Sequence, residues 1–129
     1  MAITSAICNS FKEEILQGGH NLNASGSTPG GNTIKCALYS SNSAVLSKST
    51  TVYAAPADAT ADPTNTYEVT TTSSGYTGGG NTLTNIDPTL ATDTAVCDFD
   101  NESWTSATFT ARGLLLYNTT AITGFTTNR

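Results

Sequence analysis

Short stretches in which apolar and polar residues alternate recur along this chain at roughly 10-residue spacing. That recurrence limits the fold more than any other feature. Residues 33–39, T-I-K-C-A-L-Y, alternate cleanly. Ile34, Cys36 and Leu38 point one way, and Lys35, Ala37 and Tyr39 the other, which reads as a half-buried strand. Further strands are expected at residues 50–54, 66–70 and 81–86, the last ended by Asp87-Pro88. Residues 94–99 alternate with Ala95, Cys97 and Phe99 inward. Residues 107–111 do so with Ala107, Phe109 and Ala111 on one face, and residues 100–103 turn between the two as hairpin neighbours. Residues 104–117 hold the sole Trp and the densest apolar run: a core strand, a kink or bulge at Gly113, and a second buried strand. Residues 114–117 are so continuously apolar that a central strand covered on both faces is expected, not an edge.

A single helix precedes these strands, over residues 4–17. Thr4 or Ser5 can cap it, and Gly18-Gly19 supplies the left-handed residue that stops it. Ile7, Cys8, Phe11 and Ile15 recur at helical spacing and define one apolar face, to pack on the sheet or to dock on another subunit. Gly, Pro, Asn and Ser mark loops at residues 18–32, 41–49, 55–66 and 72–81. Residues 118–129 carry only Ile122 and Phe125, as a last weak strand or an extended arm. The expected architecture is one domain over residues 1–129: mainly β, an antiparallel β-sandwich of about seven short strands with one N-terminal α-helix.

Composition narrows function. Charged residues are 12% of the chain and Thr, Ser, Asn and Gly dominate, a balance that suits extracellular and virion β-proteins better than cytosolic enzymes. Net charge is −5 and the five cations are scattered, so no basic stripe offers itself to nucleic acid or to an anionic membrane. No apolar run reaches membrane-spanning length, and the N-terminus lacks the pattern of a secretory signal. Cys8, Cys36 and Cys97 have no C-x-x-C spacing. One bridge stays open, but free thiols packed as small hydrophobes fit an odd count and folding in a reducing cytoplasm.

Chemistry-bearing constellations are few. Nucleophilic catalysis needs a base within reach of a nucleophile, and the sole imidazole, His20, follows the helix stop, where a cation suits the helix dipole. Asp98, Asp100 and Glu102 form the one acidic group with metal-ligand chemistry. The segment lacks the sixth-position Gly and closing Glu of a calcium loop, so solvated carboxylates at a hairpin end and no bound metal are expected. Two carboxylates without a nearby aromatic cluster do not suggest a glycosidase. The glycines of 75–81 lack the Lys and following helix of a phosphate loop. Three N-x-S/T matches, at residues 23, 101 and 118, are chance in a chain so rich in these residues. Arg112 among apolar neighbours needs a partner: Asp98 or Asp100, solvent, or an acid on another subunit. No enzyme and no cofactor are expected.

Four blocks carry a family likeness: A-I-T-S-A-I-C-N-S-F-K-E-E-I-L near the start, I-K-C-A-L-Y, S-G-Y-T-G-G-G-N-T-L-T, and C-D-F-D-N-E-S-W-T-S-A-T-F-T-A-R-G-L-L-L-Y-N. In this order they resemble small virion structural proteins of tailed bacteriophages of the marine, cyanophage-like kind. The resemblance implies a non-enzymatic component of the virion, assembled in the host cytoplasm: a capsid decoration or cement protein contacting the major capsid protein, with homotrimers compatible with three-fold lattice positions. It also implies an apolar strand beyond the position of Arg129, so the sheet either lacks a strand or borrows one. Ile7, Phe11, Ile15, Tyr76 and Arg112 are the candidate assembly residues, with the loops at 18–32, 55–66 and 72–81. The alternatives are a tail, neck or fibre-associated protein and, from another class, a carbohydrate- or receptor-binding sandwich. The last needs exposed aromatics, for which Tyr39, Tyr53, Tyr67 and Tyr76 are candidates: rings clustered on an open surface favour glycan binding, buried rings favour assembly.

Overall fold

The computed structural model describes residues 5–40, 46–53, 67–69 and 74–125. The chain is mainly strand, with two antiparallel sheets and one short helix. The elements are α1 (Asn9–Leu16), β1 (Ile34–Tyr39), β2 (Asn81–Thr82), β3 (Asn85–Ala91), β4 (Thr94–Phe99) and β5 (Gly113–Asn118). One sheet has the order β2-β1-β5; the other is the β3-β4 hairpin. Five strands are present among the described residues, where about seven were expected.

β1 is the centre of the molecule. The predicted alternation holds, but both of its faces are covered, not one. Cys36 and Leu38 pack with Val69 and Tyr76 under Leu83, Trp104 and Phe109. On the other face Ala37 and Tyr39 pack with Tyr53 and Tyr117, flanked by Leu46, Tyr67 and Leu115. Each fully buried side chain of this size contributes roughly 1.5–3 kcal/mol. β5 runs antiparallel to β1 with Cys36 opposite Leu116 and Leu38 opposite Leu114.

Several expected strands take other forms. Residues 107–111 make no ladder; Phe109 holds the segment by edge-on contacts with Trp104 (6.3 Å, 87°) and Tyr76 (5.8 Å, 72°). Residues 50–53 are irregular, with Tyr53 stacked on Tyr117 at 4.2 Å. Glu68 makes an isolated bridge to Tyr39, extended by hydrogen bonds from Val69 N–H to the Leu38 carbonyl (2.9 Å) and from Ser40 N–H to the Tyr67 carbonyl (2.8 Å). Ala54, Thr66 and Thr70, the loop at 55–66 and the tail beyond Phe125 lie outside the described residues. Asp87-Pro88 does not end a strand: β3 continues to Ala91, absorbing the proline in an irregularity between Ile86 and Thr89. The hairpin partner of residues 94–99 is therefore β3 and not residues 107–111. Residues 114–117 form most of β5, which is the outer strand of its sheet among the described residues, not a central one.

The helix is shorter than expected and differently faced. It begins at Asn9 with Cys8 at the cap position and no side-chain cap, so Ser5 does not cap it, and Thr4 lies outside the described residues. Gly18, at φ +76°, stops it as predicted. Its one buried residue is Glu14; Ile7, Ile15 and Leu16 are exposed, and Phe11 is half-buried.

Candidate assembly surface

The polar side chains with chemistry to offer are held in structural networks. His20 lies at the end of the helix connection, its Nε2 2.8 Å from Glu14 Oε2 and its Nδ1 2.9 Å from Asn118 Nδ2. Thr120 N–H donates to Asn118 Oδ1 (2.9 Å), which turns the Asn118 amide nitrogen toward His20. An amide N–H pointing at Nδ1 makes that atom the acceptor, so Nε2 carries the hydrogen and donates to Glu14. Phe11 covers the ring at 4.5 Å. Both imidazole nitrogens are thus engaged in tying α1 to the end of β5. The Glu14 contact holds the ring, where a bare helix dipole was expected to.

Glu68 is a hub that no sequence motif signals. Its Oε1 accepts from Tyr76 Oη–H (2.7 Å) and Gly79 N–H (2.6 Å), and its Oε2 from Tyr53 Oη–H (2.9 Å). Tyr76 Oη in turn accepts from Leu38 N–H, and Tyr117 Oη–H donates to the Gly79 carbonyl. Burial, reinforced by the Glu68 charge, pushes the Tyr117 phenol up to about 12 and the Tyr53 and Tyr76 phenols higher still. Tyr76, expected on an exposed glycine-rich loop as an assembly residue, is 3% exposed. The glycines bring its loop against β1: a Cβ at Gly80 would overlap the Cys36 carbonyl, and Gly79 and Gly80 both sit at positive φ. Tyr39 and Tyr53 are buried too, and Tyr67 is half-buried, so these rings form no exposed platform.

Asp98, Asp100 and Glu102 do not converge. Glu102 Oε1 accepts from Asn81 Nδ2 (2.6 Å) and Asp98 Oδ1 from Phe99 N–H (2.8 Å). No group of three metal-ligating side chains occurs among the described residues. Burial raises the Cys36 thiol to about 11, helped by Glu102. Cys8 is half-buried and Cys97 exposed, so the expectation of three buried thiols holds for Cys36 alone. A polar cleft of about 240 Å³ lies between the 25–33 loop and residues 82–85. Asn85 Nδ2 donates to the carbonyls of Asn23 and Asn32 at its edge, and nothing titratable lines it.

What stands open is apolar. The β3-β4 hairpin is exposed on both faces beyond Asn85: Leu90 is 72% exposed, and Ile86 and Val96 are exposed as well. Ala95, Cys97 and Phe99, expected to point inward, share the Leu90 face; of them only Phe99 is partly covered. An isolated two-stranded hairpin is marginal in water. This one is anchored at its base, where Asp87 accepts from Ala24 N–H (2.8 Å) and the Ser27 hydroxyl (2.6 Å), bonds that hold the Asp87 carboxyl below its ordinary range. On β5, Leu114 is 57% exposed and Leu116 is exposed beside it. Arg112 precedes them, exposed, and makes no ion pair among the described residues; neither Asp98 nor Asp100 is its partner within the molecule. Of the candidate assembly residues, Ile7, Ile15 and Arg112 are therefore at the surface, Phe11 half so, and Tyr76 is not. The exposed row on the hairpin was missed because alternation reports which residues share a face, not whether the face is covered. No helix among the described residues is long and apolar enough to cross a membrane. Comparison with family models, curated proteins and solved structures returns no match.

Proposed function

We propose that this protein is a non-enzymatic, multi-copy structural component of a tailed-bacteriophage virion, a sandwich-like head decoration or cement subunit. The observation that carries the reading is apolar exposure on three separate elements: Ile7, Ile15 and Leu16 around α1, Ile86, Leu90 and Val96 on the hairpin, and Leu114 and Leu116 on β5. Soluble monomers scatter single exposed apolar residues, whereas several rows on ordered elements mark contact surfaces. A subunit with several different neighbours on a lattice needs several such surfaces, and weak contacts then add by multivalency. The proposed partners are the major capsid protein and further copies of the same chain, in a virion assembled in the host cytoplasm.

The burial of Tyr39, Tyr53 and Tyr76 favours this reading over a glycan-binding module, which needs those rings in the open. The engagement of both His20 nitrogens favours it over hydrolytic chemistry. A tail or neck location uses the same surfaces with cyclic in place of icosahedral neighbours.

Mass-spectrometric stoichiometry of this protein against the major capsid protein in purified particles tests the reading. Copy numbers on the order of hundreds are expected for lattice decoration. Roughly six or twelve copies move it to a ring at the neck or tail. Absence from particles overturns the structural reading.

A further inference from the structure

Two strand edges are open among the described residues, and their backbone phase follows from the ladder. Thr119 N–H donates to the Thr33 carbonyl, and the β1-β5 register runs from Ile34–Asn118 to Tyr39–Gly113. Odd-numbered residues of β5 therefore turn their backbone groups toward β1, and Leu114 and Leu116 turn theirs outward. In the hairpin, Asp100 N–H donates to the Thr84 carbonyl, with Asn85 opposite Phe99 and Ile86 opposite Asp98. Even-numbered residues of β4 face β3, so Ala95 and Cys97 offer their N–H and C=O groups to the outside, while the Phe99 N–H is held by Asp98 Oδ1. The opposite edge of the hairpin is occupied: Pro88 lacks a donor, and the 23–27 loop is bound to Asn85 and Asp87.

Leu114 and Leu116 on one open edge and Ala95 and Cys97 on the other combine outward backbone groups with apolar side chains. Charge is divided the same way. Residues 85–100 hold Asp87, Asp93, Asp98 and Asp100 and no Lys or Arg; residues 103–129 hold Arg112 and Arg129 and no acid. β4 and β5 are outer strands of different sheets, and no strand among the described residues pairs with either outer edge. We propose that β4 of one copy adds antiparallel to β5 of a second copy, with Cys97 opposite Leu114 and Ala95 opposite Leu116. This register lays Leu114 and Leu116 along the apolar file that includes Leu90. It also brings the acidic hairpin beside the strand that Arg112 precedes. Edge addition supplies main-chain hydrogen bonds, and the apolar file fixes which face meets which. The joined surfaces differ, so the contact is head-to-tail and closes as a ring or continues as a filament.

This inference names a partner for the assembly surface and rests on the assembly reading for its biological setting. Its test uses the isolated full chain. Leu114→Cys is placed in a Cys8→Ser background and treated with diamide at mildly alkaline pH, because burial and Asp98 raise the Cys97 thiol. A ladder of disulfide-linked dimers and higher species is expected on non-reducing gels, and it disappears on adding Cys97→Ser. Cys97→Lys in the otherwise native chain is expected to shift sedimentation to monomer with an unchanged melting temperature. No ladder, a ladder that survives Cys97→Ser, or a Cys97→Lys protein that assembles like wild type overturns the contact. None of those results alters the copy number in particles, which judges the assembly reading separately.

Discussion

Glu68 illustrates how a lone acidic residue organises a core. Its carboxylate accepts from two tyrosine hydroxyls and a backbone amide, joining the glycine-rich turn to Tyr53, which stacks on Tyr117 across the β1 face. Hydrogen bonds to a charged group contribute about 1.5–3 kcal/mol each, and loss of the shared acceptor strands three donors. Glu68→Ala is therefore expected to destabilise by about 3 kcal/mol, read by denaturant unfolding. The same burial makes the fold alkali-sensitive. An unfolded tyrosine ionises near pH 10, whereas Tyr117 is held protonated to about 12 and Tyr53 and Tyr76 beyond it. Between those values the unfolded chain binds fewer protons, so the tyrosines' contribution is full below about pH 10 and falls as pH rises above it, while the raised Cys36 thiol adds a smaller loss that starts near pH 9. A melting temperature flat from pH 7 to about 8, declining gently near 9 and steeply above 10, is expected, with a shallower drop above 10 in Tyr76→Phe. None of this was legible in the sequence. A glycine-rich stretch around Tyr76 looks like a solvent loop, and only the structure reveals that Gly80 serves close approach to the Cys36 carbonyl.

The elements that were legible are those set by local pattern. The bounds of β4 match the alternating 94–99 segment, β1 covers all but the first residue of its segment, and Gly18 ends α1 as expected. Coverage was not legible, because it depends on partners far away in the chain. The continuous apolar run of β5 reads as a central strand, yet its outer face is open at Leu114 and Leu116. The apolar face of α1 reads as packing on the sheet or docking on another subunit, and the helix buries Glu14 against His20 while Ile15 stays exposed. Two substitutions test element-level claims. Gly80→Ala forces a Cβ into the β1 backbone at a positive φ and is expected to cost several kcal/mol or prevent folding, seen as a sharply lowered melting temperature. Thr92 occupies the β3-β4 turn at φ +59°, a conformation costly for a β-branched residue. Thr92→Gly is expected to stabilise the hairpin by about 1 kcal/mol, read as slower amide exchange in β3 and β4.

At the scale of the molecule, one strand buried on both faces centres the three-stranded sheet, the β3-β4 hairpin is tied on through the 23–27 loop, and the polar networks hold loops down. The tyrosines and His20 are engaged inside, while aliphatic side chains on α1, the hairpin and β5 remain outside. That division underlies the assembly reading: the chain stabilises itself through β1 and leaves its other apolar rows for neighbours. The most direct measurement is amide hydrogen exchange of residues 85–99 and 113–118 in dilute free protein and in purified particles. The account predicts that amides of Ala95, Cys97, Leu114 and Leu116 exchange quickly in the free chain and are protected by tenfold or more in particles, about 1.4 kcal/mol of added local stability. Equal exchange in the two states would contradict it, since those rows would then face solvent even in the assembled state.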